Sequence, residues 1–183
     1  MITRDRERML WARVSRDLPL DVDDAWRLVA DARHHTRWVP LTRVGITRPA
    51  PDAPGAGWAV WPGGAEPEEG DDILAVSGPF ARKGWPGLVD RMRIERFEPP
   101  LGAVPGVAVF VKRGPLLLGT ARIEVEATGT TSRVTWSETV YLRGLPAVAT
   151  RWLGTALVDL MVRLVLARAT REAHRLAAQR SAA

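Results

Sequence analysis

The chain begins with a period of two. Residues 9–16, MLWARVSR, put Leu10, Ala12 and Val14 on one side of an extended segment, the pattern of a half-buried strand. The period then lengthens. Ala25, Trp26, Val29 and Ala30 mark the buried face of a short helix that starts after Asp21, an N-cap residue with a second carboxylate, Asp24, three positions on. A second short helix is predicted over 32–38 and must end before Pro40, because the residue preceding a proline is driven out of the helical region. A strand near 42–48 follows. Residues 49–72 are dense in Pro and Gly and hold an acidic cluster at Glu66, Glu68, Glu69, Asp71 and Asp72, read as loop with the acids at a solvated hairpin end.

Strand-like alternation resumes over 72–77, 89–97, 107–112, 120–127 and 133–142. The intervening turns, such as Arg113-Gly114-Pro115 and Gly129-Thr130-Thr131, are too short for crossover helices, so these strands are predicted to be antiparallel. From Pro146 a long helix is expected to run to about Ala178. Its first half places Arg151, Thr155, Asp159 and Arg163 in one row, with Leu153, Ala156, Leu157, Leu160 and Leu164 opposite. Beyond Arg168 the polar row moves to Arg168, Arg171, Glu172 and Arg175.

Length and composition narrow the reading. The 183 residues suit one domain, with a core over about 8–170 and a basic helical tail over 171–183, and a chain of this size buries roughly 70% of its unfolded surface. The absence of cysteine excludes disulfide scaffolds, Cys-based zinc sites and thiol nucleophiles. The opening residues lack the apolar stretch of a secretory signal, and no run approaches the roughly 20 apolar residues of a membrane span, so a cytoplasmic setting is expected. Charge is uneven: Arg163, Arg168, Arg171, Arg175 and Arg180 against Glu172 account for most of the net +5. Cations near the end of a helix complement its dipole; the alternative is a site on the tail for RNA, the ribosome or an acidic protein.

Candidate chemistry is sparse. Neighbouring helical residues project about 100° apart, so His34 and His35 do not readily share a metal, and the third histidine, His174, is distant; neither metal nor cofactor is expected. No Gly-x-Ser-x-Gly elbow, Walker loop or Gly-x-Gly-x-x-Gly fingerprint is present. The strands offer more. Leu88, Asp90, Met92 and Ile94 share one face, and Val134, Trp136, Glu138, Val140 and Leu142 share another, so Asp90 and Glu138 both fall among hydrophobes. A carboxylate so placed is costly unless paired, and desolvation raises its pKa toward the range useful for acid–base work. Asp90 and Glu138 are therefore the candidate catalytic groups, the alternative for each being a structural pair with an arginine or with backbone.

The order of elements, with the stretches "DDAWRLVAD" and "TRWVPLT", resembles the opening of the SRPBCC (START-like) superfamily. "VDRMRIERFEPP" and "RVTWSETVYL" are similar to strands of its polyketide cyclase/dehydrase-like branch. The resemblance implies an α+β helix-grip fold of the START-like or Bet v 1-like kind: a curved antiparallel sheet of about seven strands around a long C-terminal helix, with two short helices after the first strand. It further implies a hydrophobic small molecule held between sheet and helix, of polyketide, lipid, isoprenoid or aromatic type. Met92, Ile94, Phe110 and Trp136 would then line the sheet side, Trp152, Ala156 and Leu160 the helix side, and Trp38, Phe80 and Trp85 the entrance. Relatives include both binders and aromatase/cyclases, so both activities follow as expectations.

Overall fold

A computed structural model describes residues 12–48, 66–145 and 147–182, excepting the side chains of 147–155. Strand β1 (Ala12–Leu18) leads into helices α1 (Val22–Ala30) and α2 (Ala32–Trp38), then β2 (Thr42–Thr47) and β3 (Asp72–Ser77). Four longer strands follow, β4 (Leu88–Glu98), β5 (Gly106–Pro115), β6 (Leu117–Thr128) and β7 (Thr131–Leu142), and the 35-residue helix α3 (Ala147–Ser181) ends the chain. All seven strands are antiparallel in one sheet, ordered β1-β7-β6-β5-β4-β3-β2. A curved sheet gripping a long terminal helix, with two short helices after the first strand, is the helix-grip fold. Among the described residues no helix is long and apolar enough to cross a membrane.

Local chemistry sets the helix boundaries. The Asp21 carboxylate accepts the Asp24 N–H at 2.8 Å and starts α1. Asp31 both ends α1 and caps α2: its backbone is extended, its carboxylate accepts the Arg33 N–H at 2.9 Å, and it holds the Arg33 guanidinium at 2.5 Å. An acid that satisfies the free N–H groups of one helix start is worth about 1 kcal/mol to it. Burial raises the Asp31 carboxyl, but the hydrogen bonds from Arg33 outweigh burial and hold it below its ordinary value.

Packing explains where α3 departs from its predicted faces. The buried stripe is Val158, Val162, Val165, Leu166, Ala169 and Ala173, laid on β1 and β7. Leu157 and Leu160 are instead 68% and 64% exposed. The core face thus combines small and β-branched side chains with the fully buried Leu166, while Leu157 and Leu160 stay at the surface. The register of β4 carries a second lesson. Bulges between Arg91 and Met92 and between Ile94 and Arg96 break strict alternation, and the second returns Phe97 to the core, 5.1 Å from Trp26.

Candidate functional site

Three ionisable side chains meet on the inner face of the sheet. Asp90 on β4 and Glu138 on β7, both expected on apolar faces, are joined by Lys112 on β5. The Lys112 ammonium lies 2.5 Å from Asp90 Oδ2 and 3.2 Å from Glu138 Oε1, with the Met92 sulfur at 3.8 Å. The side chains of Lys112, Asp90 and Glu138 are 7%, 13% and 3% exposed. A lysine reaches β7 from β5 because the intervening strand presents only Gly119 and Ala121: Lys112 is in register with Gly119, and Glu138 with Ala121.

The cluster is almost, but not wholly, satisfied. Both oxygens of Glu138 are used, Oε1 by Lys112 and Oε2 by the Trp136 indole N–H at 3.2 Å. Asp90 Oδ2 is used, while buried Oδ1 has no hydrogen-bond partner among the described residues. Electrostatics follows this geometry. Burial works against the Lys112 charge, yet Glu138 and Asp90 outweigh it and raise its pKa, so the ammonium stays protonated. Burial also raises the Asp90 carboxyl above its ordinary value, against the pull of Lys112.

An aromatic group extends from this cluster toward α2. The His35 ring lies 5.2 Å from Trp136, 5.7 Å from Trp38 and 6.4 Å from Phe110. Its Nε2 donates to the Val29 carbonyl at 2.9 Å, and His34 makes the equivalent bond to Leu28, so each histidine ties α2 back to α1. Burial lowers the His35 pKa and keeps the ring neutral. Trp38 is itself buried, its indole N–H donating to Glu172 of α3 at 2.7 Å.

The predicted site residues thus divide. Asp90, Met92, Phe110, Trp136 and Glu138 come together around Lys112 and His35, with buried Ile94 in register with Phe110. Trp38 joins the aromatic group from its α2 side. Phe80 and Trp85 stack at 5.8 Å but stand 55% and 63% exposed. Ala156 and Leu160 are exposed on α3, and the Trp152 side chain lies outside the described residues.

The partner expected for a buried carboxylate was an arginine or backbone; the structure supplies a lysine. Its signal was available, since Lys112 shares strand parity with Ala108 and Phe110 and is one of two lysines in a chain that otherwise uses arginine. One of His34 and His35 was expected to pack near the site or to make an ordinary hydrogen bond, and His35 does both; Glu172 was not singled out, and no local period encodes contacts made across a hundred residues.

One end of the sheet carries an apolar rim. Leu41, Leu88, Leu116, Leu142 and Leu145 are exposed, together with Phe80 and Trp85. They fall where β2 and β4 begin and β5 and β7 end, which is the end at which Asp90 pairs with Pro115. An exposed apolar border of this kind is characteristic of ligand-binding or interaction sites.

No family model and no curated protein sequence matches the chain. Solved structures do. The di-domain aromatase/cyclase StfQ of the steffimycin biosynthetic pathway superposes with a TM-score of 0.60 at 12% identity, covering 96% of this chain and 54% of that one. The Zhui aromatase/cyclase of Streptomyces sp. R1128 gives 0.58 at 11% identity, covering 90% and 93%. A protein encoded in the dynemicin biosynthetic locus gives 0.54 at 14% identity over 87% of this chain; the chain spans 45% of that protein's length. These likenesses define the fold as the helix-grip type.

Proposed function

We propose that the protein binds a hydrophobic small molecule bearing a hydroxyl or enol group, inserted from the apolar rim against the inner face of the sheet and anchored at Asp90. The observation that carries this reading is the buried Asp90 Oδ1, an acceptor without a partner among the described residues, at the rimmed end of the sheet. An unpaired buried acceptor costs about 1–3 kcal/mol, a cost that a hydroxyl donor on a ligand removes. Trp136, Phe110 and Met92 supply flat and adaptable apolar contacts beside it. The likeness to aromatase/cyclases supports a polycyclic or polyketide-type guest.

A second reading has its own observation. Asp90, its carboxyl raised by burial and held beside an ammonium, has the character of a group that exchanges a proton with an enolisable carbonyl, while Lys112 stabilises developing oxyanion charge. This is the aromatase/cyclase alternative, with Asp90 and Glu138 as its acid–base groups.

Quenching of tryptophan fluorescence by 2-naphthol and by its methyl ether tests the anchor. We expect 2-naphthol to bind about tenfold more tightly, and D90N to abolish that preference, since one buried hydrogen bond to a charged group is worth about 1.5–3 kcal/mol. Equal affinity for the two probes in the unmodified protein would remove Asp90 from the site. Appearance of a cyclised product from a poly-β-keto thioester, lost in D90N, would select the enzymatic reading.

A further inference from the structure

A concavity lies between α2 and α3. Arg37 and Trp38 from α2 and Arg168, Arg171, Glu172 and Arg175 from α3 line a groove of about 440 Å³. The charges in it do not balance. Glu172 spends one oxygen on Arg37 at 2.6 Å and the other on the Trp38 indole at 2.7 Å. Arg168 is held by an uncharged partner, the Trp38 carbonyl, at 2.7 Å. Arg171 and Arg175 have no ion-pair or hydrogen-bond partner among the described residues.

Two ordinary explanations for arginines late in a helix fail here. The helix dipole acts only within the last turn, whereas α3 runs to Ser181, leaving Arg175, Arg171 and Arg168 progressively deeper in the helix. Intrahelical or interhelical pairing accounts for the neighbours but not for these: Arg163 is paired with Asp159, and Arg180 with Asp24. What remains is four guanidiniums converging from two helices on one hollow, against a single carboxylate whose oxygens are both engaged.

We infer that this groove is a binding site for a small phosphate-type oxyanion, with Arg171 and Arg175 as its direct ligands and Arg37 and Arg168 forming pre-positioned walls. Guanidinium forks match the oxygens of a phosphoryl group in pairs, and anchoring two of the four in advance reduces the ordering cost of binding. The concave form suits a compact dianion better than an extended polyanion such as RNA, which tracks along a basic surface. Exposed Leu176 at its margin offers contact to an apolar portion of the ligand, so a free phosphomonoester and a lipid headgroup share the required chemistry.

The test uses the full chain and inorganic pyrophosphate, followed through the arginine Nε–Hε resonances. Millimolar pyrophosphate is expected to shift Arg171 and Arg175, and R171Q/R175Q to weaken binding about tenfold or more, while R163Q leaves it unchanged. Both substituted positions are exposed and unpaired, so folding is not at risk. Co-sedimentation with phosphatidylglycerol-containing vesicles, competed by pyrophosphate, would assign the anion to a lipid headgroup; pyrophosphate binding without sedimentation would assign it to a soluble ligand. The inference is overturned if pyrophosphate leaves these resonances unmoved, if the double variant binds as well as the parent, or if only an oligoglutamate peptide binds.

Discussion

Replacing Lys112 by Met strips the cation from between two buried carboxylates, and the consequence follows from the distances. At separations of 2.5 and 3.2 Å, and with an effective dielectric near 20, the gross attractions are about 7 and 5 kcal/mol. Most of this is offset by desolvation of three charges, so the intact cluster contributes little net stability relative to an apolar core. The asymmetry appears when one member is removed. K112M leaves Asp90 and Glu138 buried and facing one another, and a loss of about 3–5 kcal/mol is expected, or roughly 6–20 °C in melting temperature for a chain of this size.

Urea unfolding at several pH values provides the assay. In K112M, Asp90 loses the ammonium that opposes desolvation, so its folded pKa rises further above the unfolded one. A group shifted in that direction stabilises the fold below its unfolded pKa, and the contribution disappears as pH rises through the folded value. Lowering the pH from 7 toward 5 should therefore restore part of the loss in K112M, and the triple variant K112M/D90N/E138Q should recover most of it at pH 7. A K112M loss under about 1 kcal/mol, or one that deepens on acidification, would refute the account of a charge-balanced cluster.

Two further outcomes are expected. His35 is buried neutral, its pKa lowered from 6.5 by burial, with Asp31, His34 and Glu138 the ionisable groups acting on it; its stabilising contribution is present above pH 6.5 and is lost as pH falls through the lower folded value. The stability difference between the parent and H35Q, measured by urea titration, should thus be constant above neutrality and shrink in acid, and a difference independent of pH would contradict it. Gly119→Ala should cost more than about 2 kcal/mol in the same assay, because its φ is +137° and an added Cβ falls 2.0 Å from the Thr139 carbonyl oxygen; a near-neutral effect would mean that β6 and β7 separate freely beside Lys112.

Much of the architecture was legible because it is written in local periods and caps. Asp21 acts as the N-cap its position suggested, the helix at 32–38 stops where Pro40 requires, and the strand at 72–77 falls on its predicted residues. Strand ends were less legible: β1 continues to Leu18, past its predicted end at 16, residues 9–11 lying outside the described residues, and β5 extends to Pro115. The buried face of α3 was misjudged because it was placed opposite the polar row at 151, 155, 159 and 163, whereas the residues laid on the sheet are Val158, Val162, Val165, Leu166, Ala169 and Ala173. Asp90 and Glu138 could be placed on apolar faces by parity alone. That Lys112 joins them depends on the register shift between Arg91 and Met92 and on two small residues in the strand between, which a reading of one strand at a time does not combine.

The neighbour of β1 has a consequence for how the chain is made. Among the described residues β1 is an edge strand whose only partner is β7, so Ala12–Leu18 must wait for Thr131–Leu142 before this ladder can form. At ribosomal rates of about 5–20 residues per second that wait is on the order of ten seconds, during which half of a hairpin-like pairing is missing from the nascent polypeptide. Contacts so distant along the backbone slow the search for the native topology, and they make the final zipper between the first and last strands the step on which lasting closure depends.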